Sequence, residues 1–234
     1  FAEALLEAQN RIPALTVRSN PLKISRGDLI RRLEEESGVK GTPTFTSPQG
    51  VRLIDFRGKV DQNRAFKDGL FQVQDEAAQL TSILLSPAAG ESILDLCAGY
   101  GGKTTHLAEL MGDQGKVIGL DRNRTRLVSL ATNAIRLGIR SVAAVAADAS
   151  TNLSSVFRVR FDRIVVDAPC SGLGVISRHP DGKWNKKEDD IPRLAQLQKA
   201  ILNNGCSLLR AGGTLLYVTC TLSREENEEV VEAC

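Results

Sequence analysis

The sequence lacks any apolar run long enough to cross a membrane and any charged-then-apolar segment at its start. A membrane-spanning helix needs about 20 apolar residues, and an export signal has a basic region followed by an apolar core. It also lacks an excess of one charge, because 30 basic residues nearly balance 28 acidic ones. We therefore expect a soluble, cytoplasmic protein with no membrane partner. Any surface for nucleic acid must be a local basic patch.

Cysteine is scarce, and the number and spacing of the cysteines argue against a zinc site and against a disulfide framework. The five cysteines are an odd number, and none stands in a Cys-x-x-Cys pair typical of zinc sites. With 234 residues, 42% of them hydrophobic, the chain can bury a core without a disulfide framework. We therefore expect free thiols that are available for chemistry, and no metal.

The hydrophobic pattern divides the chain into two predicted domains, at residues 1–66 and 67–234. The first contains a helix that begins after Ser25 and ends before Gly38, among short strand-like segments, which is typical of a small α+β unit. In the second, helices and strands alternate, and this predicts an α/β fold with a doubly wound, Rossmann-like parallel sheet. Its strands are predicted at 92–96, 116–121, 141–146, 161–167 and 214–220, its helices at 74–85, 103–111, 123–137, 190–210 and after Ser223, and a turn at Gly212-Gly213.

A glycine-rich turn at 97–103 leads from strand 92–96 into a helix, where backbone amides face an anionic group. A dinucleotide fold would need glycine where the chain has Thr104, and a P-loop ATPase would need glycine at Cys97. Two acidic residues instead favour S-adenosylmethionine. Asp121 closes the second strand, where a carboxylate meets ribose hydroxyls, and Asp148 follows the third, where an acceptor reads the adenine amino group.

Two cysteines follow apolar runs that we interpret as buried strands. Cys170 follows the run that begins at residue 164, and Cys220 ends the run that begins at residue 214. Open α/β sheets bind ligands beyond the carboxyl ends of their strands. We therefore expect the two thiols to meet in one cleft beside the cofactor turn.

The chain resembles the RNA cytosine-C5 methyltransferases of the NOL1/NOP2/Sun family over residues 14–234, and looks most like the bacterial RsmB/Fmu branch that acts on 16S rRNA. The resemblance rests on segments 95–98, 101–106, 167–172, 174–184, 219–220 and 225–227. It implies S-adenosylmethionine as cofactor and RNA, small-subunit rRNA, as substrate. The family usually has Ala-Pro where this chain has Gly99-Tyr100, so the loop loses a stiffening proline.

The resemblance also implies roles for individual residues. Cys220 would attack cytosine C6 and form a covalent adduct, while Cys170 would assist release. Asp167 would contact the target base or the methionine end of the cofactor, and Lys103 could orient a carboxylate. The cofactor-binding residues expected are Cys97, Ala98, Gly99, Tyr100, Gly101, Gly102, Lys103, Asp121, Asp148 and Asp167.

Two further features bear on RNA. The basic segment at 178–187, which contains Trp184, suits phosphate contact and base stacking around a flipped nucleotide. The first domain resembles the small RNA-binding subdomain of the family, with basic residues Arg18, Lys23, Arg26, Arg31 and Arg32. The chain begins without Met, and family members continue into an antiparallel strand pair, so we expect a truncated sheet with strand 214–220 at its edge.

Two alternatives stay open. A DNA cytosine-C5 methyltransferase would use Cys170 as its nucleophile, although the Thr219-Cys220 motif argues against it. A catalytically silent RNA-binding assembly factor could keep the same fold, although retention of both thiols and all strand-end carboxylates disfavours it.

Overall fold

Two sheets organise the chain, and the computed structural model describes residues 2–234 of it. The helices are α1 (Ala2–Gln9), α2 (Arg26–Ser37), α3 (Arg64–Lys67), α4 (Glu76–Leu85), α5 (Gly102–Leu110), α6 (Arg124–Leu137), α7 (Gly182–Asn185), α8 (Asp190–Leu208) and α9 (Glu228–Glu232). The strands are β1 (Thr16–Ser19), β2 (Lys40–Pro43), β3 (Gly50–Ile54), β4 (Phe71–Val73), β5 (Ser92–Asp95), β6 (Lys116–Asp121), β7 (Val142–Ala146), β8 (Phe161–Asp167) and β9 (Leu209–Val218). Within residues 2–234, no helix has both the length and the apolar character that crossing a membrane requires.

The smaller sheet is antiparallel, in the order β2-β3-β1-β4. Helix α2 covers it with the fully buried Leu29, and begins where the Ser25 side chain accepts the amide hydrogen of Asp28 at 3.1 Å. The predicted α+β unit therefore has two more strands than the pattern indicated. The sheet includes β4, beyond residue 66, and the division of the chain after that residue stays a prediction.

The larger sheet is parallel, in the order β7-β6-β5-β8-β9, which confirms the doubly wound Rossmann-like fold. Its central strands are fully buried because helices cover both faces; Leu94 of β5 and Ile164 of β8 are 0% exposed. The strand order reverses between β5 and β8. Loops after these two strands therefore diverge and leave a crevice at the carboxyl edge, the usual ligand site of such sheets.

Two predicted details at the end of the chain are wrong. No turn separates α8 from β9: the strand begins at Leu209 and passes through the two glycines with a shifted register. Glycine allows the backbones of two strands to lie close together there, since a Cβ on Gly213 would lie 2.8 Å from the Asp162 carbonyl oxygen. The last helix begins at Glu228 instead of after Ser223, because the Asn227 side chain donates to the Ser223 carbonyl at 2.7 Å and holds the preceding residues in turns.

Buried polar contacts join the two units. Arg18 of β1 is fully buried, pairs with Glu109 of α5 at 2.8 Å, and donates to the Gly102 carbonyl at 2.9 Å. Arg136 of α6 donates to the Phe66 carbonyl at 2.6 Å, and its guanidinium lies 3.8 Å above the Phe66 ring. The small unit is thereby attached directly to the helix that begins at the glycine-rich turn.

Candidate active site

The two predicted thiols lie in contact. Cys170 follows β8 and Cys220 follows β9, and these neighbouring parallel strands end at the same edge of the sheet. Their sulfur atoms are 3.2 Å apart, and the Cys220 amide donates to the Cys170 sulfur at 3.3 Å. Either sulfur can therefore pass a proton directly to the other.

Cys170 is the more acidic thiol of the pair. Hydrogen bonds from the Cys220 thiol, and from the amides of Cys220 and Gly172, lower the pKa of Cys170 to about 7. The same contact raises the pKa of Cys220, because its sulfur stands beside a thiolate and is partly buried. Near neutral pH a substantial fraction of Cys170 is therefore a thiolate, which accepts from the Cys220 thiol.

A cavity of about 270 Å³ lies beside the thiols, at the carboxyl ends of β5, β6 and β8. It is lined by Leu96, Cys97, Gly99, Leu120, Asp121, Arg122, Arg126, Asp148, Ala149, Asp167, Pro169, Leu197 and Ile201. Five predicted cofactor residues are among them: Cys97, Gly99, Asp121, Asp148 and Asp167. Burial and the surrounding carboxylates raise the pKa of Cys97, so its thiol is not a nucleophile at neutral pH.

The carboxylates in the cavity are held by backbone amides. Asp121 is 8% exposed and accepts the amides of Gly99 at 2.9 Å and Asn123 at 2.7 Å, one on each oxygen. A carboxylate has about four lone-pair sites, so it can still accept hydroxyls of a ligand. Asp148 is exposed, and hydrogen bonds from the Ser150 hydroxyl and amide lower its pKa. Asp148 is therefore an ionised acceptor at neutral pH.

The other five predicted cofactor residues do not line the cavity. Ala98 is buried behind it, and Gly101 and Gly102 form the start of α5. The Tyr100 ring is 63% exposed, with the Arg126 guanidinium 5.7 Å from its centroid. Gly99 has a positive φ of +53°, and no heavy atom lies within 4 Å of the position that a Cβ would take there, so a ligand can approach the backbone.

Lys103 forms an ion pair with a residue of the cavity lining and lies near the thiols. Its ammonium group donates to the Asp167 carboxylate at 2.6 Å, and both side chains are partly buried. Lys103 also lies close enough to Cys220 to favour its thiolate form. Lys103 and Asp167, for which the sequence predicted separate contacts to ligands, thus pair with each other within the protein.

The sequence reasoning missed three residues of this site. Asp95 is 1% exposed, accepts the Thr104 hydroxyl at 2.7 Å, and braces the glycine-rich turn; burial raises its pKa to about 6. Arg122 and Arg126 line the cavity. Both arginines could have been predicted from their positions in the sequence. Arg122 directly follows the strand-end Asp121, and Arg126 lies one helical turn later.

The basic residues expected to contact RNA are largely engaged within the chain. Arg18 is buried, and Lys23 donates to the carbonyls of Asp68 and Arg136, both at 2.9 Å. Arg178 pairs with Asp75 and donates to the Ala14 carbonyl at 3.2 Å, and Lys183 donates to the Asn10 side chain. Trp184 remains 85% exposed. The segment at 178–187 therefore contacts residues 1–66 through Arg178 and Lys183 and presents an aromatic ring to solvent.

The cavity suits a positively charged methyl donor better than a nucleoside triphosphate. Three carboxylates line it, at Asp121, Asp148 and Asp167. They outnumber the two guanidinium groups of the lining, those of Arg122 and Arg126, and can accept hydrogen bonds from hydroxyls and an amino group and attract a sulfonium. Within residues 2–234 no group of three or more His, Cys, Asp or Glu side chains has the arrangement of a metal site.

Comparisons with known proteins identify relatives over both units. Residues 82–234 match the family described as 16S rRNA methyltransferase RsmB/F, and residues 1–58 match the ferredoxin-like domain of RsmF/B-like methyltransferases. A probable ribosomal RNA small subunit methyltransferase B of Synechocystis is 41% identical over 98% of this chain and 51% of its own length. The chain spans about half the length of the curated relatives it matches.

Two solved structures from Pyrococcus horikoshii have the same fold. A methyltransferase homolog protein has a TM-score of 0.85 and 32% identity, covering 97% of this chain and 71% of its own. NSun6, solved with SFG, has a TM-score of 0.88 and 25% identity, covering 99% of this chain and 82% of its own.

Proposed function

We propose that this chain, which belongs to the RsmB/F family of 16S rRNA methyltransferases, methylates C5 of a cytosine in RNA. The methyl donor is S-adenosylmethionine, the substrate is small-subunit rRNA, residues 1–66 contribute to RNA binding, and residues 67–234 carry out catalysis. One observation carries the proposal: two sulfurs 3.2 Å apart beside a cavity lined by carboxylates. A methyl transfer to oxygen or nitrogen needs no thiol, whereas transfer to cytosine C5 needs a nucleophile that adds to the ring.

Cys220 is the nucleophile in this mechanism. Cytosine C5 is a weak nucleophile until a group adds to C6, which converts C5 into an enamine carbon. As the Cys220 sulfur bonds to C6, its proton passes to the Cys170 thiolate with which it is in contact. Lys103 favours negative charge at Cys220, while the carboxylate of its partner Asp167 opposes that charge.

The cavity residues hold the donor and the base. S-adenosylmethionine supplies, when bound, an electrophilic methyl group on sulfur. Asp121 accepts the ribose hydroxyls and Asp148 the adenine amino group, while Asp167 with Lys103 contacts the methionine end or the base edge. Pro169 lines the cavity next to Cys170 and shapes the passage between donor and thiols.

Cys170 handles the proton of the release step. After methylation the C5 proton leaves to solvent, the C6–sulfur bond breaks, and the electron pair of that bond returns to Cys220. Cys170, protonated since the first step, returns its proton to the departing sulfur. Without this proton, Cys220 would leave as an unassisted thiolate and release would be slow.

A second candidate has one observation in its favour. Cys170 is the more acidic thiol of the pair, and a DNA cytosine-C5 methyltransferase would use Cys170 as its nucleophile. In both assignments the methyl group passes from S-adenosylmethionine to cytosine C5, but the roles of the two sulfurs are exchanged. Variants at the two cysteines separate them.

Release of tritium tests the proposed function. RNA that carries ³H at cytosine C5 should lose one tritium for each methyl group gained from S-adenosylmethionine, because the C5 hydrogen is the one replaced. The small-subunit rRNA transcript is compared with a DNA of the same sequence, which should stay unmodified. Methyl incorporation without tritium release would place the methyl group elsewhere. No incorporation into any RNA would support the silent assembly factor.

Asp121→Ala should weaken binding of S-adenosylhomocysteine in calorimetry. Loss of a buried acceptor costs about 1 to 3 kcal/mol, or about 5- to 150-fold in Kd. The exposed Asp61 of the small unit offers a control, and Asp61→Ala should bind as the parent protein does. Binding of ATP in place of the methyl donor would contradict the assignment and favour the P-loop alternative.

A further inference from the structure

A buried carboxylate lies behind the two thiols and has no part in the mechanism above. Glu226 is 0% exposed and accepts hydrogen bonds from the Ser171 amide at 2.8 Å, the Ser171 hydroxyl at 2.5 Å and the Gln198 amide group at 2.9 Å. The Ser223 hydroxyl lies 3.3 Å from it. In the part of the chain that the structure describes, no Lys, Arg or His nitrogen lies within 4.0 Å of this carboxylate.

These bonds reach both thiol loops. Ser171 directly follows Cys170, and its hydroxyl is 2.7 Å from the hydroxyl of Thr221, which directly follows Cys220. Gln198 of α8 donates to Glu226 and to the Pro169 carbonyl, just before Cys170, at 2.9 Å each. One carboxylate thus connects the residues that flank both sulfurs.

A buried anion without a cation is unfavourable unless several donors satisfy it. Loops after strands are also the least constrained parts of a sheet protein, yet these two must keep their sulfurs in contact. A carboxylate that accepts four donors meets both requirements, because it orders the loop residues around a single point. An apolar side chain of the same size would fill the space but would leave Ser171 and Thr221 free to rotate.

We propose that Glu226 is a positioning residue of the proposed reaction, which holds the two thiol loops together through Ser171 and Thr221. The inference rests on the proposed function for its purpose, but its geometry can be tested without RNA. Its negative charge has a second effect, since it opposes ionisation of Cys170. Glu226 therefore limits the acidity of the thiol that its hydrogen bonds position.

The pH profile of thiol alkylation provides the test. Iodoacetamide labelling of Cys170 and Cys220 is followed by mass spectrometry in a Cys206→Ser/Cys234→Ser background, which removes two exposed thiols. In the parent, Cys170 should react with a midpoint at about pH 7. In Glu226→Ala the loops separate, Cys170 loses its donors, and the midpoint should rise towards the free-thiol value of about 8.5.

The conservative variant should behave differently. Glu226→Gln keeps an oxygen for the Ser171 amide and a side-chain NH2 for the Ser171 hydroxyl, so the loops stay joined while the charge is lost. The midpoint of Cys170 should therefore fall by about 0.5 to 1 on the pH scale. Glu225→Gln, at the exposed neighbouring position, is the control and should match the parent. Without a positioning role, both Glu226 variants lose only the same charge, so the midpoint should fall in Glu226→Ala as it does in Glu226→Gln.

Steady-state kinetics complete the test. Glu226→Ala should lower kcat at least tenfold with the KM for S-adenosylmethionine within twofold, and Glu226→Gln should restore most of kcat. If Glu226→Ala does not fold, Ser171→Ala replaces it with the same expected rise of midpoint. A folded Glu226→Ala or Ser171→Ala protein whose midpoint stays near 7 or falls would overturn the proposal. Shifted midpoints in a protein that methylates no RNA would instead overturn the proposed function alone.

Discussion

Cys220→Ala is expected to abolish methyl transfer and to yield no covalent RNA complex. Within residues 2–234, the other thiols at the cleft are Cys97, which is buried with a raised pKa, and Cys170, which the proposed mechanism assigns to proton transfer. The measurements are methyl incorporation into RNA and a denaturing gel that separates free protein from crosslinked protein. The expected loss of activity is complete within detection, because removing a nucleophile costs orders of magnitude in rate.

Cys170→Ala is expected to give the opposite result on the gel. Without the neighbouring Cys170 thiolate the pKa of Cys220 falls, so Cys220 can lose its proton to solvent and the adduct still forms. The departing sulfur no longer receives a proton from Cys170, so a denaturant-resistant protein–RNA complex should accumulate. Cys206→Ala, which removes an exposed thiol of α8, is the matched control and should turn over normally without a trapped complex. A complex trapped by Cys220→Ala and absent from Cys170→Ala would reverse the roles and move the nucleophile to Cys170.

The second large effect is expected on stability. Arg18→Met removes the cation of a fully buried ion pair and leaves Glu109 without its partner. Breaking such a pair costs about 3 to 5 kcal/mol, which corresponds to about 6 to 20 °C in Tm for a protein of this size. Thermal unfolding followed by circular dichroism measures it.

Two variants control for this result. Arg31→Met removes a charge whose side chain is 73% exposed and pairs only with Asp28 on the same helix, so its Tm should change little. Arg18→Met combined with Glu109→Met should regain most of the lost stability, since no unpaired charge stays buried. A Tm of Arg18→Met equal to that of Arg31→Met would mean that the ion pair does not join the two units energetically.

The larger sheet could be predicted from the sequence because its strands carry their own signal. The apolar run that ends in Asp167 gives strand β8 with the predicted bounds, and Asn123 and Gly138 delimit helix α6 as expected. Strands β2 and β4 could not be predicted in this way. Residues of β2 are mostly exposed and include Gly41 and Pro43, so their extended form depends on pairing with β3.

The features of the candidate site can likewise be divided into those that the sequence predicts and those that it does not. Parallel neighbouring strands require the Cys170 and Cys220 loops to end at one edge, so their proximity could be predicted. The positions of Ser171, Thr221 and Glu226 could not, because they depend on how three loop segments fold against one another. Arg18 shows the reverse error: its charge suggested a surface for RNA, whereas an acidic partner 91 residues away on α5 makes burial favourable.

The contact between the two sulfurs also sets a limit on where such a protein can work. A thiolate touching a second thiol is the arrangement from which a disulfide forms when an oxidant such as oxidised glutathione is present. Two electrons would pass to the oxidant, two molecules of reduced glutathione would be released, and neither sulfur could then attack a base or carry a proton. The 3.2 Å separation therefore makes the chemistry conditional on a reducing environment.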